Sequence, residues 1–410
     1  MDKTILIDYA TRRLRAAACL LMLCGASSPA VGQAITFKDA CATGERATVA
    51  AVGDLLFHSA LQRQAMAPGS DFKRLWQAVT PILARADVAY GNLEGPAARA
   101  VAAGGQVVAD PGRIFDGRVY VAHIPILVFN FHPSVVPDLK AGGFSVVSTA
   151  NNHAMDRGPL GIERTIEELE KAGIALTGTR KRDEPGRRWS TVTRAKGLNV
   201  AWLACTAMLN GHPDRHGQVL GCYSQRAEVL AELKRLVDDS AVDAVILTPH
   251  WGVEGSHAPG AQDRRFAQEA IEAGATAVIG AHPHVLQPWE KYKAADGREG
   301  LIIYSTGNFV SNQRQLPQRA GLIALLELVK PENKKARIAA AGFIPTWVDI
   351  TSIHRVVENT GTASAAALKA TLQLLPPGNK VQSGAMDKLP KDCRADGETA
   401  SKRPAPSSSE

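Results

Sequence analysis

Aromatic side chains are scarce, 5% of 410 residues, which weighs against a stacking surface for sugars or nucleobases. No cysteine stands in a CxxC spacing, so nothing suggests a thiolate zinc site. No internal repeat is present, and beyond the first residues no apolar run is long enough to cross a bilayer as a helix. Excess charge is small as well. Of the formal +7, residues 1–34 carry +2 (Lys3, Arg12, Arg13 and Arg15 against Asp2 and Asp8). The +5 that remains falls short of a nucleic-acid binder, so no nucleic-acid partner is expected. It is compatible with an anionic polymer or a phosphorylated partner, and equally with plain solubility.

The amino terminus is richer in information. Arg12, Arg13 and Arg15 precede the apolar run 16–23, and Gly32-Gln33-Ala34 follows as a small-residue exit. This is the pattern of a secretory signal peptide over residues 1–34. Thr11-Arg12-Arg13-Leu14 is faintly like a twin-arginine signal, and Leu21-Met22-Leu23-Cys24 like a lipoprotein box, although Leu23 is bulky where a small residue is expected. The leader predicts an exported chain, periplasmic or extracellular. Without it the cysteines are Cys41, Cys205, Cys222 and Cys393, an even set that an oxidising compartment can pair. Cys205 with Cys222 brackets a short loop, and Cys41 with Cys393 would tie the two ends.

The segments between alternate in character. Residues 48–52, 88–90, 144–148, 199–205, 242–247, 277–279, 301–304 and 322–328 read as strands. Residues 72–85, 159–171, 227–237 and 264–273 read as helices, with Gly173 just past one end and Leu230, Leu233 and Val237 on one face of another. Alternation of this kind predicts an α/β fold with helices on the faces of a sheet. Residues 99–130 form a long excursion, a candidate lid, and from Pro376 the composition turns to that of a disordered tail over 376–410.

Polar motifs recur where the strands end: Gly53-Asp54, Gly91-Asn92-Leu93-Glu94, Asn151-Asn152-His153, His250-Trp251-Gly252-Val253-Glu254 and His282-Pro283-His284. Singly, each has a plain reading. Gly-Asp after a strand is commonly a turn or a helix cap, and a lone glutamate is commonly solvated. Together they gather beyond the carboxyl ends of strands, where open α/β sheets place their ligands. Asp54 and Glu94 offer carboxylates, Asn152 an amide oxygen, and His250, His282 and His284 imidazoles. Such a mixture suits a divalent cation of the Mn, Zn, Mg or Fe type better than an all-oxygen calcium cage. His123, His132, His212, His216, His257 and His354 lack this setting and read as structural or surface residues.

The series resembles the CapA family of poly-γ-glutamate capsule-synthesis proteins, relatives of the calcineurin-like metallophosphoesterases. The matching pieces are Val52-Gly53-Asp54, Asn92-Leu93-Glu94-Gly95-Pro96, the run from Ala150 through His153 and Asp156 to Gly158, His250-Trp251-Gly252-Val253-Glu254, His282-Pro283-His284-Val285-Leu286-Gln287 and Tyr304-Ser305-Thr306-Gly307-Asn308-Phe309. They stand in family order across residues 48–329. The resemblance implies a metallophosphatase-like four-layer sandwich, two sheets flanked by helices, over residues 45–350. It implies Asn152, His250, His282 and His284 as metal ligands and His153 as the group that meets substrate and protonates the leaving group. Asn92, Asp156, Glu254, Gln287 and Asn308 would orient the ligands. The superfamily's Gly-Asp-x-His becomes Gly53-Asp54-Leu55-Leu56 here, with His58 two residues further on, and Asn92 or Glu94 stands in for a bridging aspartate. One metal position therefore keeps most of its ligands and the other has lost one, which favours a single well-formed ion over two.

Two functions follow. The first is a metal-dependent hydrolase of a phosphoester or an amide-like bond, acting in capsule or exopolymer synthesis or export. The second is a non-catalytic member of a membrane synthesis or export complex. A periplasmic binding protein has only the exported α/β character in its favour.

Overall fold

The computed structural model describes residues 34–393 apart from 124–127, 185 and 187, so the expected leader and residues 394–410 lie outside the described residues. In chain order the first half runs β1 (Glu45–Leu55), α1 (Ser59–Met66), α2 (Thr80–Leu83), β2 (Val88–Leu93), β3 (Val121–His123), β4 (Val128–Asn130), α3 (Val135–Ala141), β5 (Val146–Ser148), α4 (Gly158–Ala172), β6 (Ala175–Thr177) and β7 (Ser190–Ala195). Then follow β8 (Leu198–Thr206), α5 (Arg226–Asp238), β9 (Ala244–His250), α6 (Ala261–Glu272), β10 (Ala277–Ile279), β11 (Trp289–Lys293), β12 (Glu299–Ile303) and β13 (Asn308–Val310). The described chain closes with α7 (Leu316–Arg319), β14 (Ala320–Lys330), β15 (Arg337–Asp349), β16 (Arg355–Glu358) and α8 (Ala365–Leu374).

Two sheets result. One has the order β16-β15-β14-β1-β2-β5-β6, with β13 alongside β1; the other has the order β11-β12-β10-β9-β8-β7. In each the centre is parallel (β1, β2, β5, β6; β8, β9, β10, β12) and antiparallel strands complete the flank. Side chains of a strand alternate between faces, and here both faces are covered. Val49, Ala51 and Tyr90 of the first sheet meet Val200, Trp202 and Ile246 of the second. Ala50, Val52 and Val147 turn the other way, toward Leu139 of α3 and Ile166 and Leu169 of α4. Val245, Leu247 and Val278 turn toward Leu233 of α5 and Phe266 of α6. The order is helix, sheet, sheet, helix: the four layers expected.

Local expectations fail in instructive places. Residues 72–85 form two 3-10 turns and the short α2 instead of one helix, because Trp76 leaves helical geometry at φ −131° and Pro81 starts a new turn. On α5 the buried face is Val229, Leu233 and Leu236, while Leu230 and Val237 are only partly covered. β15 went unrecognised because it is rich in alanine and contains Gly342 and Pro345. Residues 376–393, expected to begin a disordered tail, are folded against the body. Asn379 is fully buried and accepts from Ile35 N–H at 2.7 Å, Val381 N–H donates to Phe343 O at 2.9 Å, and Met386 and Leu389 are buried. Disulfides join Cys41 to Cys393 and Cys205 to Cys222. The excursion after Arg99 is fastened to the body by buried Asn130, which accepts from Ala98 N–H at 2.8 Å and donates to Val119 O at 3.0 Å.

Candidate metal centre

Because the parallel strands of both sheets run toward one rim, their ends converge there. Asp54 is the penultimate residue of β1, Asn92 lies on β2, and Asn152 and His153 follow β5; His250 closes β9, and His282 and His284 follow β10. Backbone detail makes the convergence tight. A Cβ on Gly53 would lie 1.7 Å from the Gly307 carbonyl oxygen, so only glycine lets the two strand ends approach before Asp54. His282 (φ 98°) and His284 (φ 58°) occupy the left-handed region, a strain that residues outside turns rarely carry and functional sites often do.

The side chains form two groups with one member in common. Glu94, His250 and His282 bring ligand atoms within 4.8 Å of one another, and so do Asp54, Glu94 and His284. In the first group His250 Nε2 lies 3.1 Å from His282 Nδ1, 3.5 Å from Glu94 Oε1 and 2.9 Å from Asn152 Oδ1. Donor atoms about 2.1 Å from a shared cation sit roughly 3.0–3.4 Å from each other, which is this spacing. In the second group His284 Nδ1 lies 3.0 Å from both Asp54 Oδ2 and Asn308 Oδ1, while its Nε2 faces Glu94 Oε1 at 3.7 Å. Nδ1 held by a carboxylate and an amide leaves Nε2 as the ligating atom, the usual arrangement for a metal-bound histidine. Asn92 Nδ2 donates to Asp54 Oδ1 at 2.8 Å and lies 3.2 Å from His250 Nδ1, linking the groups from below.

Glu94 decides the fit. It is fully buried, and neither carboxylate oxygen has a hydrogen-bond partner. An orphaned carboxylate amid imidazoles is costly unless a cation completes it. Glu94 is the member common to both donor groups, at the position where the resemblance offered Asn92 or Glu94 for a bridging aspartate.

Electrostatics agree. Burial, then the charge of Asp54, pushes the Glu94 carboxyl well above the usual carboxylate range. Burial and the neighbouring His282 hold His250 well below 6.5, and burial with His284 brings His282 down to about 4, so both rings are neutral and ready to ligate. His284 goes the other way. Burial would lower it, but Glu94 and Asp54 outweigh that and raise it to about 10. With no cation present, the buried negative charge keeps a proton on His284.

Residues 48–313 match the family described as "Bacterial capsule synthesis protein PGA_cap". The chain belongs to this family. Among its relatives, the "Capsule biosynthesis protein CapA" of Bacillus anthracis is 26% identical over 272 residues, covering 66% of this chain and 61% of that protein. The "PGA biosynthesis protein CapA" of Bacillus subtilis (strain 168) is 26% identical over 262 residues, 64% of this chain and 62% of its own length. The PGA_cap chain thus spans less than two thirds of either relative. Among solved structures, the NAD nucleotidase NadN of Haemophilus influenzae aligns at a TM-score of 0.43 and 13% identity, over 85% of this chain and 59% of that one.

Within this PGA_cap chain, the remaining site residues divide by what they touch. His153 Nδ1 lies 2.8 Å from Asp156 Oδ2, and its ring packs 4.1 Å from that of Phe129. Asn308 orients His284, as above. Gln287 does not reach a ligand; its Nε2 donates to Ser256 O at 2.8 Å and fastens the loop after His250. Glu254 is exposed and acts only as a nearby negative charge on Glu94, His282 and His284. Both were expected to orient ligands, but each side chain points to a loop or to solvent instead. Three residues were missed. Asn151 Nδ2 donates to Leu93 O at 2.8 Å and holds the Glu94 turn against the segment after β5. His58 accepts from Asn312 N–H at 3.2 Å and is lowered to about 4 by burial and by the charge of His284. His212, set aside as structural or surface, lies 3.8 Å from Asp156 Oδ1. Its only sequence signal was its place inside the Cys205–Cys222 loop.

Proposed function

We propose that this PGA_cap chain is a metal-dependent hydrolase acting on a phosphoester or amide-type bond during synthesis or export of an anionic capsule polymer, outside the cytoplasm. The observation that carries this reading is Glu94, whose two buried, unpartnered oxygens lie where both donor groups meet. The leader-like amino terminus and the paired cysteines support an oxidising compartment, and the relatives' printed names support the polymer.

Asp54, Glu94, Asn152, His250, His282 and His284 would hold the ion or ions, of which two fit the donor groups. When bound, a divalent cation polarises a phosphoryl or carbonyl oxygen and lowers the pKa of water to about 7. The chain's own part is proton management and alignment. Asp156 fixes the His153 ring through Nδ1, leaving Nε2 to face substrate and to give a proton to the departing oxygen or nitrogen. Asn152 follows a strand end and lies beside His153, so the acid and the ligand set are aligned by one rigid segment.

The test is an assay of the purified full chain on aryl phosphomonoesters, phosphodiesters and γ-glutamyl amides with Mn²⁺, Zn²⁺ or Mg²⁺. His153→Ala should lower kcat by about 10²–10⁴-fold with metal content unchanged. Unchanged turnover in that variant, or a chain that takes up no divalent ion, overturns the reading. A second reading, a non-catalytic member of a polymer assembly complex, draws on the relatives' names, which speak of biosynthesis and not hydrolysis. It is favoured if the metal-loaded chain binds poly-γ-glutamate yet turns over no ester or amide.

A further inference from the structure

The loop closed by the Cys205–Cys222 disulfide is fastened to the metal centre at two points. Ala207 N–H donates to the His250 carbonyl at 2.8 Å, and Asn152 Nδ2 donates to Asn210 Oδ1 at 3.3 Å, with Asn210 in the left-handed region at φ 49°. Internal bonds stiffen it further: Thr206 Oγ1 donates to Met208 O at 2.9 Å, and Val219 N–H donates to Asp214 Oδ2 at 2.8 Å. This rigid loop carries His212 to the edge of the site, where it lines an open groove of about 510 Å³.

Asp156 faces it with one oxygen to spare. Oδ2 accepts from Phe129 N–H at 2.6 Å and meets His153 Nδ1 at 2.8 Å. Oδ1 is buried without a hydrogen-bond partner, and His212 Nε2 stands 3.8 Å away. The His212 side chain is 39% exposed, so it has room to turn. Closing the gap by about 1 Å gives an ordinary N–H···O bond and satisfies an acceptor that is otherwise costly to bury.

We propose that His212 is a positioning residue: its Nε2–H bonds Asp156 Oδ1, pinning the carboxylate between two histidines and thereby holding His153 in register with the metal centre. The role rests on the hydrolase reading for its catalytic consequence but not for its geometry. A carboxylate bonded at one oxygen alone can swing about its Cβ–Cγ bond; one bonded at both cannot.

The experiment compares the full metal-loaded chain with His212→Ala and His212→Gln. With an aryl phosphodiester, His212→Ala should lower kcat about 10-fold, the effect of losing an outer partner, with KM and metal content unchanged. His212→Gln, whose amide N–H can reach the same oxygen, should recover most of the loss. Independently of turnover, the His153 Nδ1–H proton, followed by NMR of ¹⁵N-histidine-labelled protein, should exchange faster in His212→Ala and recover in His212→Gln. A wild type idle on every substrate, with this NMR response intact, sinks the hydrolase reading and leaves the positioning role standing. If His212→Ala changes neither kcat nor the His153 proton, or if His212→Gln behaves like His212→Ala, the role is refuted.

Discussion

Replacing Glu94 by glutamine separates the cost of the empty site from the value of the filled one. Its Oε1 lies 3.5 Å from His250 Nε2 and 3.7 Å from His284 Nε2, so one carboxylate serves both donor groups. A unit charge at about 4 Å is worth about 4 kcal/mol at an effective dielectric of 20. At about 1.4 kcal/mol per factor of ten, Glu94→Gln should weaken divalent binding by about 10³-fold. Metal-free, the sign reverses. Glu94 faces protonated His284 at 3.7 Å, but neither of its buried oxygens accepts a hydrogen bond, and relief of such acceptors is worth about 1–3 kcal/mol. The variant should therefore melt at or above the wild type in chelator and below it in excess Mn²⁺. Competition against a metal indicator and thermal unfolding with and without the ion read both halves. Affinity within threefold of wild type, or a metal-free variant less stable than wild type, would refute the argument that Glu94 is held for a cation.

Three further outcomes follow from the same geometry. Because His284 is raised to about 10 by Glu94 and Asp54, uptake of an ion must expel a proton below that pH. Affinity should rise by roughly one log unit per pH unit between about pH 6 and 9, and calorimetric heats should scale with buffer ionisation enthalpy; a flat profile contradicts this. Trp202 is fully buried between the sheets, stacked on Tyr90 at 5.1 Å and bonded through Nε1 to Thr193 Oγ1 at 2.8 Å, so Trp202→Ala should cost about 3–5 kcal/mol in urea unfolding. A loss below about 1 kcal/mol would mean that the sheets do not depend on this contact. Joint replacement of Cys205 and Cys222 by serine opens a loop of sequence separation 17 and should cost about 3 kcal/mol; equal stability would show the loop already fixed by its hydrogen bonds.

Much of this was legible in the chain itself. The strand before Asp54, the helix from Pro159 with Gly173 at its end, and the sheet with helices on its faces follow from period, capping and alternation, which are local. Both cysteine pairings were within reach because an even set of four leaves few choices. The failures were also local. The 72–85 segment has helical composition, yet Trp76 packs into the core and breaks the turn there. β15 carries an alanine run and is interrupted by Gly342 and Pro345, and it is held by pairing along β14.

Which residue types stand at the strand ends was determined by sequence alone, and that sufficed to point to a divalent cation. Their division into two groups was not. Glu94 and Asn92 are two residues apart and both polar; the carboxylate marked Glu94 as a ligand and left Asn92 to orient, but nothing in the chain says that Glu94 serves both groups. Packing chose: Asn92 bonds Asp54 beneath the site, and Glu94 is left above it with no protein donor. His212 shows the same limit from the other side. In sequence it is an unremarkable loop histidine, and it reaches Asp156 because the disulfide and the His250 carbonyl fix the loop that carries it. Ligand chemistry is a property of side-chain type, written residue by residue. Ligand geometry depends on contacts between segments far apart in the chain, and those exist only once both sheets have packed.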